Sequence, residues 1–373
     1  MELVYAGGCR GAGDIVDISA VTPISLHNNC YQHYLGLGDR PALPAYYDGA
    51  MGRVLPSGAA LFAIAVAAFG QAPTFRAGVT DVSVDAAVTL DHRSVTGLQA
   101  SDFIIVDEGQ EQPIVSFGQE SVPLDLVLLL DTSGSMQRWI AELADIANTA
   151  LRQLRQGDRV AVVAFSGSTQ IEQPLTTDMN SVAEAIKQAA TNGPVDGGTD
   201  INDAMQNTAE YLISFPKKEQ VVAPGVLGRR RAIVVITDNL GFSYHAPKKS
   251  VVAQLYRANT VVYGLVIPTE MSKIIHKYTD SGKHPAPKDG FEVNDVFDLA
   301  KQTGGEAQYA EHPDQIFPEM LSQIRSRYVM TYHAPPAKPG TLREIRVTLN
   351  KEARKRHRKA VVSARAGYYV ALP

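Results

Sequence analysis

Cysteine is almost absent from this 373-residue chain, which has only Cys9 and Cys30. Charged residues make up 20% and aromatic residues 7%, while hydrophobic residues reach 45%. So much apolar material with so little charge excludes wholesale disorder and allows one large or two medium domains. The formal net charge of −4 gives no reason to expect a nucleic-acid partner.

A hydrophobic run long enough to span a membrane is also missing near the amino end. The uncharged segment from Ala59 to Phe69 follows Met51 and Arg53, and it is well short of the roughly 20 residues that a membrane-spanning helix needs. This layout is typical of a secretory signal peptide. We therefore expect residues 51–70 to be a signal peptide cleaved after Gly70, with no stable membrane span afterwards. The product would be exported to the periplasm, to the cell envelope or to the medium.

The first fifty residues are hard to reconcile with that signal, because a signal sequence works from the N-terminus. They show neither helical nor strand periodicity and contain both cysteines. We expect Met51 to be the true start and residues 1–50 to be a disordered leader; the alternative is a genuine disordered extension. A product that begins at Gln71 contains no cysteine. It has no disulfide and must be stabilised by its core.

The two flanks of the remaining chain carry strand-like alternation. Val82 and Val84 alternate in the first flank, where a hairpin is expected at Glu108-Gly109, and Ile345, Val347 and Leu349 alternate in the second. We predict that residues 76–120 and 338–373 together form one small β-sandwich. The segment KEARKRHRKA, residues 351–360, has six Lys/Arg in ten positions. It is interpreted as a solvated connection, or alternatively as a contact for anionic lipid, polysaccharide or nucleic acid.

The middle of the chain differs, because its apolar runs do not alternate. Such runs indicate strands buried on both faces, and they lie at Leu126–Leu130, Val160–Phe165, Ile233–Ile236 and Val261–Val266. Helical spacing follows the first run and recurs at 181–190, 200–214, 248–258, 294–303 and 313–327. Strand and helix in alternation predict an α/β fold with a doubly wound, mainly parallel sheet.

Oxygen-bearing residues follow these runs, where open parallel sheets bind ligands. Asp131, Ser133 and Ser135 follow the first run, Asp238 follows the third, and the glycine-rich turn before residue 200 contains Thr199. Carboxylate and hydroxyl oxygens without His or Cys suit a hard cation such as Mg²⁺. The alternative is that a serine caps the next helix and Asp238 merely begins a loop.

The residues from about Leu124 to His333 resemble a von Willebrand factor type A domain, to which we assign residues 122–335. DTSGS at 131–135 matches the DxSxS motif of its metal-ion-dependent adhesion site, and Thr199 and Asp238 match the other two loops. The resemblance implies Mg²⁺ or Mn²⁺ held by Asp131, Ser133, Ser135, Thr199 and Asp238, with one position left for an acidic side chain of a partner protein. Asn239 departs from the glycine that commonly follows the aspartate, which puts the shape of that loop in doubt.

The chain from Val79 to Tyr369 also resembles a group of bacterial exported proteins with such a domain. These families imply cation-dependent protein binding and no catalysis. Two alternatives stay open: a structural or assembly factor of the cell envelope that needs no ion, and a hydrolase, since Ser-His-Asp sites occur in any chain order. Arg229, Arg230 and Arg231 are interpreted as a solvated loop, and Trp139 as a half-buried packing residue or as a partner contact.

Overall fold

The computed structural model describes residues 80–371, except 92, 120–121, 194–197, 216–227, 244, 271, 273–291 and 294. They belong to one compact unit, Gln71–Pro373. The expected leader and signal peptide lie outside the described residues. Within the ranges given above, no helix is both long and apolar enough to cross a bilayer.

The strands of this part of the chain are β1 (Thr80–Leu90), β2 (Arg93–Ser94), β3 (Phe103–Asp107), β4 (Gln110–Gln112), β5 (Ile114–Gly118), β6 (Leu124–Asp131), β7 (Arg159–Phe165), β8 (Thr169–Thr176), β9 (Arg230–Thr237), β10 (Phe242–Ser243), β11 (Thr260–Val266), β12 (Glu292–Val293), β13 (Ala307–Tyr309), β14 (Tyr328–Ala334), β15 (Leu342–Leu349), β16 (Val361–Ala364) and β17 (Gly367–Tyr369). The helices are α1 (Gln137–Ala150), α2 (Met179–Asn192), α3 (Ile201–Ser214), α4 (Lys248–Arg257), α5 (Val296–Thr303), α6 (Pro313–Arg325) and α7 (Lys351–Arg356).

The four predicted apolar runs form adjacent strands of a six-stranded sheet with the order β13-β11-β9-β6-β7-β8. All its pairs are parallel except β7 with β8. Every residue of β6 is buried. Leu128 and its neighbours on one face pack with α1, α2 and α6, whereas Val127 and Leu129 on the other pack with α3, α4 and α5. The predicted doubly wound, mainly parallel sheet is therefore confirmed.

The two outermost strands of this sheet, β8 and β13, carry no apolar run. β8 reads TQIEQPLT and is half-buried or exposed along its length, and β13 has three residues. Because an edge strand has a neighbour on one side only, it does not need the apolar pattern of a central strand. The helices begin and end close to the predicted positions. α6 stops at Arg325 instead of residue 327, because β14 begins at Tyr328.

The flanks form two antiparallel sheets that share one core. One sheet has the order β16-β1-β14-β5, with β2 added beside β1, and the other has the order β17-β15-β3-β4. Their shared core includes Val84, Ile105, Tyr332 and Val347. The central sheet is thus inserted into a β-sandwich, as predicted. At the hairpin between β3 and β4, Glu108 and Gly109 both have positive φ angles, of 47° and 81°, which is typical of a tight two-residue turn.

Two predictions in this region are wrong. Residues 328–334 were placed in the middle domain, but as β14 they pair with β1 and β5, because Tyr328, Met330 and Tyr332 face the core of the sandwich. Arg230 was placed in a solvated loop, yet it is 3% exposed and donates to the carbonyl oxygen of Ile324 at 2.8 Å. A buried guanidinium can stay charged where its N–H groups are bonded in this way.

Candidate metal-binding site

The loops that follow β6 and β9 meet at the carboxyl edge of the central sheet. These strands are parallel neighbours, and Leu130 is paired with Ile236. Asp131 and Thr237 are therefore level with each other. The register brings together the two sequence motifs that were singled out after the first and third apolar runs.

Asp131 is buried and accepts hydrogen bonds from the loop that follows it and from β9. Its Oδ1 accepts from the backbone N–H of Ser133 at 3.0 Å, and its Oδ2 accepts from the hydroxyl of Thr237 at 2.6 Å. Burial raises the pKa of Asp131 to about 6, and nearby Asp238 acts in the same direction, while the bonds from Ser133 and Thr237 oppose the shift. The loss of hydration thus outweighs the stabilisation by these bonds.

Asp238 is equally buried and lies close enough to Asp131 for the two charges to repel each other. Its Oδ1 accepts from the N–H of Leu240 at 3.2 Å, and its Oδ2 accepts from the hydroxyl of Thr269 at 2.9 Å. Neither Asp131 nor Asp238 forms an ion pair within the ranges that the structure describes. Two buried carboxylates side by side are costly unless a cation neutralises them.

The first loop carries two serine hydroxyls, directly after Asp131 in the chain. Ser133 Oγ and Ser135 Oγ are 3.4 Å apart, Ser133 is half-buried and Ser135 is exposed. Helix α1 begins after Met136 and has no side-chain cap. The alternative interpretation requires one of these serines to cap the helix, and neither of them does. Both hydroxyls are placed to offer their oxygen atoms to a ligand.

Thr199 lies on a neighbouring loop at the same edge. The next residue, Asp200, caps α3 by accepting from the N–H of Asp203 at 3.0 Å. Its own N–H donates to the carbonyl oxygen of Ser166 at 3.1 Å, and Ser166 directly follows β7, the neighbour of β6. This bond holds the loop of Thr199 beside the first loop. Asp196 and Gly197 of the predicted turn lie outside the described residues.

Asn239 has a backbone that glycine favours. Its φ angle is +57°, in the left-handed region that asparagine tolerates better than most residues. Its Oδ1 accepts from the N–H of Val296 at 3.1 Å, so the side chain ties the loop to the first residue of α5. The departure from glycine therefore keeps a left-handed loop and adds a hydrogen bond.

Two side chains at this edge had no role in the sequence analysis. Thr237 donates to Asp131, and Thr269 donates to Asp238. Thr237 directly precedes Asp238, at the end of the strand that pairs with β6. This position was a signal that could have identified it. Thr269 had no such signal, because its contact depends on the path of the chain after β11.

The donor set at this edge consists of carboxylate and hydroxyl oxygens. In the part of the chain that the structure describes, no group of three His, Cys, Asp or Glu side chains could hold a metal. A site here would depend on two carboxylates together with neutral hydroxyls. That chemistry suits Mg²⁺ or Mn²⁺, which also keep water in part of their coordination sphere.

Trp139 lies on α1, one turn after the loop that carries Ser133 and Ser135. It is half-buried against the core on that face of the sheet, and the Arg138 guanidinium lies 4.9 Å from the centre of its ring. This position agrees with the packing interpretation.

Residues 126–241 match the family model of the von Willebrand factor type A domain. No curated protein matches the chain. The matched segment contains all five candidate ligands and the strands that position them.

Solved structures with a similar arrangement share little sequence with this chain. An aerotolerance-related membrane protein from Bacteroides fragilis is 19% identical over 54% of this chain and 98% of its own, with a TM-score of 0.38. A von Willebrand factor type A protein from Catenulispora acidiphila is 11% identical over 73% of this chain and 74% of its own, with a TM-score of 0.40. Proximal thread matrix protein 1 from the mussel byssus, described with a zinc-occupied MIDAS motif, is 20% identical over 39% of this chain and 38% of its own, with a TM-score of 0.33.

Proposed function

Since residues 126–241 match the family model of the von Willebrand factor type A domain, we propose that this chain is an exported protein-interaction module that binds its partner through a divalent cation. The ion is Mg²⁺ or Mn²⁺, and the ligands are Asp131, Ser133, Ser135, Thr199 and Asp238. An acidic side chain of the partner protein completes the coordination. The proposal includes no catalytic step.

The observation that carries this proposal is the pair of uncompensated carboxylates, Asp131 and Asp238. Both are fully buried, and within the described residues both are held only by hydroxyl and backbone N–H groups. A cation at this place would remove their mutual repulsion and replace the hydration that burial has cost them. The exposed hydroxyl of Ser135 marks the side from which the ion would be reached.

The coordination chemistry of such a site suits an acidic side chain from a partner protein. Ser133, Ser135 and Thr199 contribute oxygen dipoles but no charge, so two carboxylates at most balance a doubly charged ion. A carboxylate from outside would still gain a direct bond to a cation in place of water. Export follows from the expected signal peptide at residues 51–70 and places this exposed edge outside the cytoplasm.

Isothermal titration of Mg²⁺ and Mn²⁺ into the full chain tests the site. We expect one ion to bind, the Asp131→Ala variant to bind none, and the combined Ser133→Ala and Ser135→Ala variant to lose nearly all affinity. Asp178→Ala is the matched control. Asp178 is an exposed helix cap that follows β8 at the opposite end of the sheet, and its removal should leave the affinity unchanged.

Unchanged Mg²⁺ affinity in Asp131→Ala, or an equal loss in Asp178→Ala, would refute the assignment. The envelope-factor alternative makes a different prediction about the partner. A metal-independent structural protein keeps its partner in the presence of a chelator, whereas the proposed module releases it. A pull-down from envelope extract, with and without chelator and with Asp131→Ala in parallel, separates these two functions.

A further inference from the structure

The basic segment 351–360 forms a fixed surface. Helix α7 begins after Asn350, whose Oδ1 accepts from the N–H of Ala353 at 2.7 Å and whose Nδ2 donates to the carbonyl oxygen of Ser101 at 2.6 Å. The backbone N–H of Asn350 donates to the carbonyl oxygen of Asp102 at 2.7 Å, and Ala353 is buried in the sandwich core. One side of this short helix is thus anchored, and its charged side chains are exposed.

Most of the positive charge on this surface is not neutralised. Arg356 pairs with Asp102, and Arg354 Nε donates to the carbonyl oxygen of Leu349 at 2.7 Å. The other four basic residues form no ion pair with any residue in the described ranges, and all four are exposed: Lys351, Lys355, Arg358 and Lys359. Glu352 is the only acidic residue within the segment itself. A protein of net charge −4 therefore carries one local patch of strongly positive potential.

Three of these basic side chains border a groove. The cavity has a volume of about 610 Å³ and is lined by Ile104, Leu349, Lys351, Arg354, Lys355 and Arg358. Its basic residues come from α7 and the residues that follow it, whereas Ile104 of β3 and Leu349 of β15 are aliphatic. We call this feature the α7 groove. Basic walls beside an aliphatic floor fit an amphiphile that has a negative head and an apolar body.

We propose that the α7 groove docks the protein onto a membrane surface that contains anionic phospholipid. A cluster of four to eight Lys/Arg on a helix is the usual recognition element for acidic lipid headgroups. Single-stranded nucleic acid would need aromatic side chains for its bases to stack on, and the lining of the groove contains none. An acidic polysaccharide would leave the aliphatic floor without a counterpart.

The position of the groove is compatible with simultaneous use of the metal site. Gly367, which pairs with Glu344 of β15, lies against Tyr256 near the end of α4, and α4 leads into the amino end of β11. Leu349 is five residues further along β15, about 17 Å away at the usual rise per residue. The groove therefore lies on the sandwich, which meets the amino end of the central sheet around Arg327. The candidate metal site lies at the carboxyl end of the sheet, and the two sites share no residue.

Vesicle flotation of the full chain tests this inference. The probes are vesicles of phosphatidylcholine alone and vesicles in which about a third of the lipid is phosphatidylglycerol, both at about 0.15 M salt. The apolar run Ala59–Phe69 is common to all variants, so its contribution cancels. The test variant combines Lys351→Glu, Lys355→Glu and Arg358→Glu. The control combines Lys187→Glu, Lys249→Glu and Lys338→Glu, three exposed residues elsewhere that give the same change in net charge.

We expect the unmodified chain to bind the anionic vesicles at least tenfold more tightly than the neutral ones. The test variant should lose this preference, and the control variant should keep it. Ile104→Ser should lower the vesicle affinity severalfold, because it removes the more accessible of the two aliphatic side chains of the floor without changing the charge. No preference in the unmodified chain, an equal loss in the control, or full binding by Ile104→Ser would overturn the proposal. The last result would show a surface for anions in general.

Discussion

At the amino end of the central sheet, the buried carboxylates of Asp125 and Asp158 are held by arginine, whereas at the carboxyl end those of Asp131 and Asp238 are held by hydroxyl and N–H groups. Asp125 accepts from Arg159 at 2.9 Å through both its oxygens and from Arg229 at 2.7 Å. Asp158 accepts from Arg325 at 3.1 Å. Asp131 and Asp238, only one strand length away, form no ion pair with any residue that the structure describes.

This difference separates charge that stabilises the fold from charge that is available to a ligand. The arginines of the amino end join elements that are distant in the chain: Arg327 donates to Asp85 of the sandwich at 2.7 Å and to Tyr263 of the central sheet at 2.9 Å. These contacts fix the sandwich to the inserted domain. The carboxyl end keeps two negative charges that folding alone leaves uncompensated, and such groups are candidates for function.

The largest expected effect comes from neutralising one carboxylate at each end with an isosteric amide. Asp158→Asn leaves the buried Arg325 without its ion-pair partner and turns an amide N–H₂ toward a backbone N–H. We expect this variant to lose about 3–5 kcal/mol in the free energy of unfolding, the usual cost of breaking a buried pair from one side. In chelator, Asp131→Asn should lose none of the free energy of unfolding. At neutral pH, this variant should be more stable than the unmodified protein. Urea denaturation of both variants in chelator measures the difference, and equal losses would mean that the two ends do not differ.

A somewhat smaller effect is expected from pH. The pKa of Asp131 is about 6 in the folded chain, above its ordinary value of 3.8, so the native state binds this proton more tightly than the unfolded state does. The stability contributed by the protonated group is complete below pH 3.8 and is lost as the pH rises through 6. A shift of this size corresponds to about 3 kcal/mol. In chelator, the free energy of unfolding of the unmodified protein should therefore fall by about 3 kcal/mol relative to that of Asp131→Asn between acid and neutral pH.

The matching measurement is urea denaturation of both proteins across this pH range. Subtracting one curve from the other removes the contributions of all other titrating groups that the two proteins share. A saturating concentration of Mg²⁺ should restore the stability of the unmodified protein at neutral pH and leave Asp131→Asn unchanged. Parallel pH curves for the two proteins would show that the charge of Asp131 does not destabilise the folded protein. The carboxyl end would then resemble the amino end, where the buried carboxylates are compensated.

The sequence predicts the parts of this architecture that local pattern controls. The apolar runs of β6, β7, β9 and β11 and the helices between them follow from periodicity, and the edge at which the motif loops meet follows from parallel topology. The pairing of β14 with β1 depends on contacts more than 200 residues apart in the chain, and no local pattern encodes it. The same holds for the burial of Arg230, since a guanidinium looks solvated until its distant carbonyl partners are known.

The smallest expected effect concerns the backbone of the carboxyl-end loop. Asn239→Ala removes the bond to Val296 and places alanine at a φ of +57°, so we expect a loss of about 2 kcal/mol in the free energy of unfolding. Asn239→Gly removes the same bond without the backbone strain and should lose about half as much. Because the loop of Asp238 is shaped by this residue, the alanine variant should also weaken Mg²⁺ binding more than the glycine variant does. Equal stability of the two variants would show that the left-handed conformation costs nothing. The conformation of the loop would then depend only on the bond between Asn239 and α5. The amino end of the central sheet depends in the same way on its ion pairs.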